Sequence, residues 1–300
     1  MQPTISVILV SYNTVDLLPA CLDALLSQGR ELEQLFVVDN DSADGSAELV
    51  RNRYPEVQLI ANQENLGFGA ANNQALARCR SDLVFFLNPD TRVHPDCLAA
   101  IRRSMAAEQQ LGLAGVRITD PDGSCHHSTE PSYPGSSYSR GLHDDLPGEI
   151  AWVLGAGMVA RQGLMTQLGG FDERFFLYGE DIDLCLRVRQ AGYRLGLIED
   201  AVITHLEGQS ERSTTPAAVL EKKIRAELLF FRLHYPPELR QRIVRARRLQ
   251  AWWRLLSLRC LPPLPGREEL RRLKLAKYRL VAQLYRSFSH EMRHESSTDP

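Results

Sequence analysis

Leu83-Val84-Phe85-Phe86-Leu87-Asn88-Pro89-Asp90 is an apolar run that stops abruptly at polar residues. A run this short, flanked by a Pro turn, predicts a fully buried β-strand. The same pattern occurs twice upstream. Ile5-Ser6-Val7-Ile8-Leu9-Val10 ends at Ser11-Tyr12-Asn13, and Leu35-Phe36-Val37-Val38 ends at Asp39-Asn40-Asp41. Between these runs, Leu17, Leu18, Cys21, Leu22, Leu25 and Leu26 recur at helical spacing. A helix near 46–53, a strand at 57–60 and a helix over 70–80 complete the series. Alternating strands and helices predict an α/β fold with a mainly parallel sheet flanked by helices. Ligands of open α/β sheets bind beyond the carboxyl ends of the strands. Ser11, Asn13, Asp39, Asn88 and Asp90 are therefore expected around one crevice. No GxGxxG turn follows the first strand, which argues against a dehydrogenase.

The 300 residues are 44% hydrophobic with a net charge of −2, which excludes a disordered or collagen-like chain. No run approaches the roughly 18 apolar residues of a membrane span. The near-neutral total hides two unlike parts. Residues 1–214 hold 16 arginines, no lysine and 29 carboxylates, whereas 215–300 hold 19 basic and 8 acidic residues. A step from −13 to +11 predicts a catalytic or binding domain over 1–212 and a basic helical module over 213–300. The boundary is expected beside Ser213-Thr214-Thr215-Pro216, a helix N-cap with proline in the first turn. Six scattered cysteines without a CxxC pair read as reduced, buried thiols. Met1-Gln2-Pro3-Thr4 lacks a basic n-region, so the expected location is cytoplasmic. The Pro/Gly/Ser/His-rich stretch 119–150 is expected to be a lid or acceptor loop.

Five motifs stand in order along 4–212. They are Val10-Ser11-Tyr12-Asn13; Val38-Asp39-Asn40 with Ser42 and Asp44-Gly45-Ser46; Asn65-Leu66-Gly67-Phe68-Gly69-Ala70-Ala71-Asn72; Phe86-Leu87-Asn88-Pro89-Asp90; and Gly169-Gly170-Phe171-Asp172-Glu173 leading to Glu180-Asp181-Ile182-Asp183. In this set and order the chain resembles the inverting glycosyltransferase family 2, in its rhamnosyltransferase-like branch. The resemblance implies a GT-A fold and transfer of a sugar from a dTDP- or UDP-linked donor, with rhamnose from dTDP-rhamnose as the expected one. It implies a glycan or lipid-linked glycan hydroxyl as acceptor. A diphosphate leaving group beside an acidic domain calls for a divalent cation, Mg²⁺ or Mn²⁺. Asp90 is the implied ligand and His205 a further one, although a strand-end histidine held by hydrogen bonds is the plainer reading of spacing alone. Asn88 stands where the family usually has the first aspartate and offers a neutral oxygen.

The resemblance further implies that Asp39 accepts from N3–H of a uracil or thymine, against a helix cap as the alternative. Ser11 and Asn13 are expected to flank the nucleoside. Asn65, Gly67 and Asn72 are expected near the diphosphate or ribose, where glycines precede a helix. Trp152 and Gly155 would floor the donor sugar; a core Trp on a buried strand explains the same residues. Asp181 is the implied general base, with Glu180 as second candidate and N-capping as the structural alternative.

In the basic module, a helix is expected over 217–234 and a second over 238–261, where arginines alternate with Trp252, Trp253 and leucines. Pro262-Pro263-Leu264-Pro265-Gly266 separates it from a last helix. A basic helix with a Trp/Leu face predicts an anionic membrane surface as partner, on the inner face of the cytoplasmic membrane. Packing on a subunit, as in a homodimer, is the alternative, and nucleic acid is not expected. A non-catalytic nucleotide-sugar or glycan-binding module, or a transferase using a UDP-hexose or UDP-galactofuranose donor, is the alternative function. A nucleotidyltransferase would need a basic glycine-rich loop near the N-terminus, and no basic residue precedes Arg30.

Overall fold

The structure is a computed structural model that describes residues 2–139, 141–206, 215–260 and 267–298. In chain order the elements begin with β1 (Ile5–Ser11), α1 (Leu18–Leu26), β2 (Gln34–Asp39), α2 (Ser46–Arg53), β3 (Gln58–Ala61), α3 (Phe68–Leu76) and β4 (Leu83–Leu87). They continue with β5 (Thr91–Val93), α4 (Cys97–Ala107), β6 (Leu111–Thr119), β7 (Cys125–His126), β8 (Thr129–Glu130), β9 (Trp152–Val153) and β10 (Gly157–Arg161). Then come α5 (Gln162–Leu168), α6 (Glu180–Gln190), β11 (Arg194–His205), α7 (Pro216–His234), α8 (Pro237–Cys260) and α9 (Glu268–Thr298).

Strand order in the large sheet is β3-β2-β1-β4-β10-β6-β11-β5, with β7 beside β6. The first four strands are parallel, as the alternating pattern predicts. Beyond them the sheet is mixed: β10 runs antiparallel to β4 and β6, β11 parallel to β6, and β5 antiparallel to β11.

The continuous apolar strands are explained by burial on both faces. Alternate residues enter separate cores. Ile5, Val7, Leu9, Leu35, Val37, Phe85 and Leu87 pack with Leu18, Leu22 and Leu25 of α1 and Leu98 and Ile101 of α4. Ile8, Val10, Phe36, Val38, Val84 and Phe86 pack with Ala71 and Ala75 of α3 and Leu184, Cys185 and Val188 of α6. The period of two thus feeds two helix layers at once.

The chain divides into two compact units: Met1–Tyr133 with Asp145–Arg212, and Pro134–Asp144 with Ser213–Pro300. The boundary expected at 212 falls outside the described residues. The stretch 119–150 is not one free lid. Its first part forms β7 against β6 and β8 against β9, while 134–144 clusters with the C-terminal helices. Within that second unit, Tyr235 Oη donates to Pro134 O at 2.5 Å. Gly135 (φ +76°) lies so close to Ile243 and Phe231 that a Cβ would come within 2.9 Å of the isoleucine. Thr215 caps α7 by accepting from Ala218 N at 3.3 Å, with Pro216 following it. Four cysteines are buried as expected, but Cys125 and Cys260 are exposed, because a two-residue edge strand and the last turn of α8 cover neither.

Entry into α3 depends on a close backbone approach. Gly67 has φ +86°, and a Cβ there would lie 2.4 Å from Phe176 O, which accepts from Phe68 N at 2.9 Å. Gly67→Ala is expected to destabilise the protein by about 1–3 kcal/mol through strain at this position. Urea unfolding checks this, and an unchanged midpoint would show that the approach is dispensable.

Candidate functional site

Register brings the polar strand ends together. Ser11 pairs with Asp39, and Leu9 pairs with Leu87, so β1, β2 and β4 stop along one edge. Because β10 is antiparallel to β4 and begins opposite Leu87, the segment entering it arrives at that same edge. Asn88 N donates to Ala156 O at 3.1 Å. The neighbouring Gly155 N donates to Asp181 Oδ2 at 3.2 Å. Two short links therefore connect the end of β4 to the start of α6.

His205, the last residue of β11, pairs with Thr91 of β5. This puts its Nε2 3.2 Å from Asp90 Oδ1, with the two side chains 10% and 3% exposed. His205 Nδ1 is buried without a hydrogen-bond partner among the described residues. A carboxylate oxygen and an imidazole nitrogen form a donor set compatible with Mg²⁺ or Mn²⁺, which keep water and phosphate oxygens as their other ligands. No group of three or more His, Cys, Asp or Glu suited to a metal occurs among the described residues. Among the described residues, the donor set at this corner is Asp90 with His205, which fits a cation that draws its other ligands from outside the chain. Behind this corner, Cys21 Sγ lies 3.9 Å from Asn88 O, and burial pushes its thiol up to about 12. It stays neutral and is no nucleophile.

On the other side of β1, Asp39 Oδ1 accepts from Ser42 N at 3.1 Å, while Oδ2 is buried without a partner among the described residues. An orphaned carboxylate oxygen is costly unless a ligand donor meets it. Ser11 Oγ is bonded to Thr14 Oγ1 at 2.8 Å and is buried. Asn13 (φ +55°) is exposed, but its Oδ1 accepts from Ala43 N at 2.8 Å and its own N–H donates to Ser42 Oγ at 2.9 Å. Asn13 therefore ties the loop after β1 to the loop after β2.

The residues expected at the diphosphate or ribose, Asn65, Gly67 and Asn72, each make contacts within the chain. Asn65 Oδ1 accepts from Asn40 Nδ2 and Gly67 N, at 2.9 and 3.0 Å. Asn72 is 1% exposed and donates to Phe68 O at 2.9 Å, an i−4 bond that commits it to its own helix. Gly67 serves the contact with Phe176 described above. These bonds shape the segment, through Asn65 Oδ1 and Asn72 Nδ2. The sequence reading missed Asn40 as the organiser of this region. Its amide bonds Asn65, Gly67 O, Asn62 and Leu66 N. A polar residue directly after a buried strand was the available signal. Asn73 was also missed: it bonds Phe171 N and O and Glu173, docking α3 onto the Gly-Gly-Phe-Asp-Glu turn.

Trp152 is half-buried, pairs with Glu130 across β8–β9, and donates from Nε1 to Ser132 O at 3.1 Å. Its indole edge is thus held by the chain. Gly155 bears on the acid Asp181 through its amide.

The turn into α6 is strained, with Tyr178 at φ +70° and Gly179 at φ +83°. It presents Glu180 and Asp181 in the first helical turn. Asp181 Oδ1 accepts from Ile182 N at 2.9 Å. Asp183 does not share this freedom, because Arg187 grips its Oδ2 from Nε at 2.8 Å and Nη2 at 2.7 Å. Arg187 also donates to Leu168 O at 3.2 Å, tying α6 to the end of α5. Burial pushes Glu180 well above the ordinary carboxylate range, with the charges of Asp181 and Asp183 adding to it. Loss of hydration also raises Asp181, opposed by the amides of Ile182 and Gly155. Glu180 Oε2 is buried without a partner among the described residues.

Raised folded-state values mean that the native state holds protons the unfolded chain has released. Stability therefore falls as pH rises from the ordinary carboxylate range through the raised values. Glu180→Gln removes one such charge, so its melting temperature should exceed that of the parent near about pH 8 and converge with it near about pH 4. Thermal melts across this range check the sign; a less stable variant at alkaline pH would contradict it.

The Glycosyl transferase family 2 model matches residues 6–155, and the Glycosyl transferase family group 2 model matches 83–281. N-acetylglucosaminyl-diphospho-decaprenol L-rhamnosyltransferase of Mycobacterium tuberculosis is 27% identical, over 94% of this chain and 99% of its own. Rhamnosyltransferase WbbL of Escherichia coli is 28% identical over 49% of this chain and 63% of its own. Among solved structures, mannosyltransferase PcManGT from Pyrobaculum calidifontis, in complex with GDP-Man and Mn²⁺, aligns with a TM-score of 0.58 at 19% identity. That alignment covers 100% of this chain and 88% of the other. S. aureus TarS 1-349 in complex with UDP aligns with a TM-score of 0.54 at 17% identity, covering 95% and 91%. These likenesses show a GT-A-like fold. With half of its length matched by the family's model, the chain belongs to glycosyl transferase family 2 and is a glycosyltransferase.

Proposed function

We propose that the protein transfers rhamnose, with inversion, from dTDP-rhamnose to a hydroxyl of a lipid-linked glycan, with a divalent cation at Asp90 and His205. The observation that carries the mechanism is Asp181, held by the Gly155 amide at 3.2 Å beside the end of β4. The donor and acceptor classes are supported by the similarity to the mycobacterial rhamnosyltransferase, which spans nearly the whole of both chains.

In this reading Asp181 accepts the proton of the acceptor hydroxyl as its oxygen bonds to the anomeric carbon. The bond from that carbon to the diphosphate oxygen breaks on the opposite face, and the nucleoside diphosphate leaves with the electron pair. The raised affinity of Asp181 for a proton suits a base, since proton transfer is most effective when the catalytic value approaches the working pH. Asp39 Oδ2 meets the N3–H of the thymine, which relieves its orphaned state. A bound cation would neutralise charge on the departing diphosphate.

Calorimetric titration of dTDP, UDP and GDP, with Mn²⁺ and with EDTA, tests the donor half without knowledge of the acceptor. dTDP should bind with Mn²⁺ and lose affinity in EDTA or in Asp90→Ala; failure of every nucleotide in both conditions would overturn the reading. Asp181→Asn should keep nucleotide affinity and lose about 10²–10⁴ in turnover. Near-normal turnover of that variant would remove Asp181 from the role of base.

A further inference from the structure

The C-terminal unit carries a surface that the transfer chemistry does not use. On α8, Leu239, Ile243, Val244 and Ala251 are buried, as the inner side of a helix should be. Yet Leu249, Trp252, Trp253 and Leu256 are exposed, the two indoles to 60% and 63%. These four stand at i, i+3, i+4 and i+7, so they share one face. An outward face of this kind is the reverse of what water favours.

The partner helix extends it. Arg271 Nε of α9 donates to Leu258 O of α8 at 2.7 Å, and Arg248 of α8 reaches Ser289 Oγ of α9 at 3.4 Å. The two helices therefore run antiparallel, and the first turns of α9 lie beside the C-terminal end of α8. Leu270 and Leu273 in those turns are exposed as well. By helical spacing Arg245 continues the α8 face one turn toward its N-terminus, Arg248 and Arg259 border it, and Arg272, Lys274 and Lys277 surround the α9 leucines, all exposed. Glu268 and Glu269 are the acidic residues of that end.

We propose that the exposed face of α8 and the start of α9 is a docking surface for an anionic lipid bilayer, lying in the headgroup plane rather than crossing it. No described helix is long and apolar enough to cross a membrane. Indole rings favour the boundary between acyl chains and headgroups, and guanidinium groups bind lipid phosphates through paired N–H donors. Charge decides against a second copy of the chain as occupant: an isologous pairing would bring one basic patch against the same basic patch of the other copy. The inference gives a physical basis to the lipid-linked acceptor proposed above and rests on that reading for its meaning, while its test does not.

Full-length protein is floated with vesicles of phosphatidylglycerol mixed with phosphatidylcholine, and with phosphatidylcholine alone. Binding should require phosphatidylglycerol, weaken with salt and shift tryptophan emission to the blue. Trp252→Ser with Trp253→Ser should lower partitioning by about tenfold or more, and Arg245→Glu with Arg259→Glu by a similar factor. Melting temperatures should stay at the parent value, since these side chains are exposed. No binding to phosphatidylglycerol vesicles, binding indifferent to the tryptophan substitutions, or a dimer that these substitutions dissociate would each overturn the proposal. Titration with dTDP and Mn²⁺ on the same preparations separates the two readings. Vesicle binding without nucleotide binding leaves the surface and removes the proposed dTDP-linked donor, and the converse removes only the surface.

Discussion

The point where β4 stops governs the site. β4 is fully buried between a parallel neighbour, β1, and an antiparallel one, β10, so it cannot slide by a residue without turning Phe85 and Phe86 into the wrong cores. Its end at Leu87 fixes Asn88, whose amide bonds Ala156. That bond sets Gly155, and the Gly155 amide holds Asp181. The same end launches Asp90 toward His205. A register enforced by hydrophobic burial is thus converted, through two backbone hydrogen bonds and one strand pairing, into the relative placement of the acids and the histidine.

The acids so placed are held against their own preference for water. Glu180 and Asp181 open α6, where the helix dipole favours negative charge, yet burial outweighs it and raises both. Asp183, three residues beyond Glu180 in the same helix, shows the contrasting solution: Arg187 one turn on neutralises it. One stretch of sequence therefore contains a structural acid with its counter-ion and two acids that have none among the described residues. Asp39 repeats the theme at the other end of the crevice, with one oxygen bonded to its own loop and the other unmet among the described residues. Poor solvation of this sort costs stability and is characteristic of sites that meet a ligand.

Much of this was legible beforehand because strand periodicity and polar stops are local properties. Leu83–Leu87, Ile5–Val10 and Leu35–Val38 announce buried strands, and Thr215-Pro216 announces a helix start, without reference to anything distant. What a local pattern does not carry is which partner a polar side chain takes. Asn65 and Asn72 carry the residue type expected of a binding loop, and each also bonds a nearby backbone group, Gly67 N and Phe68 O. Asn40 and Asn73 could not be read as organisers, since their partners lie 22 to 100 residues away in sequence.

The sequence by itself determined the parallel half of the sheet, the edge at which its polar residues gather and the division of charge between an acidic first part and a basic tail. These follow from periodicity, from turn chemistry and from counting. The tertiary structure alone decided that β10 enters antiparallel beside β4, that His205 meets Asp90, and that 134–144 belongs with the C-terminal helices. Such pairings join residues far apart in the chain, and their free energy comes from burial and hydrogen bonds that exist only once the layers have closed. No local pattern can carry that information.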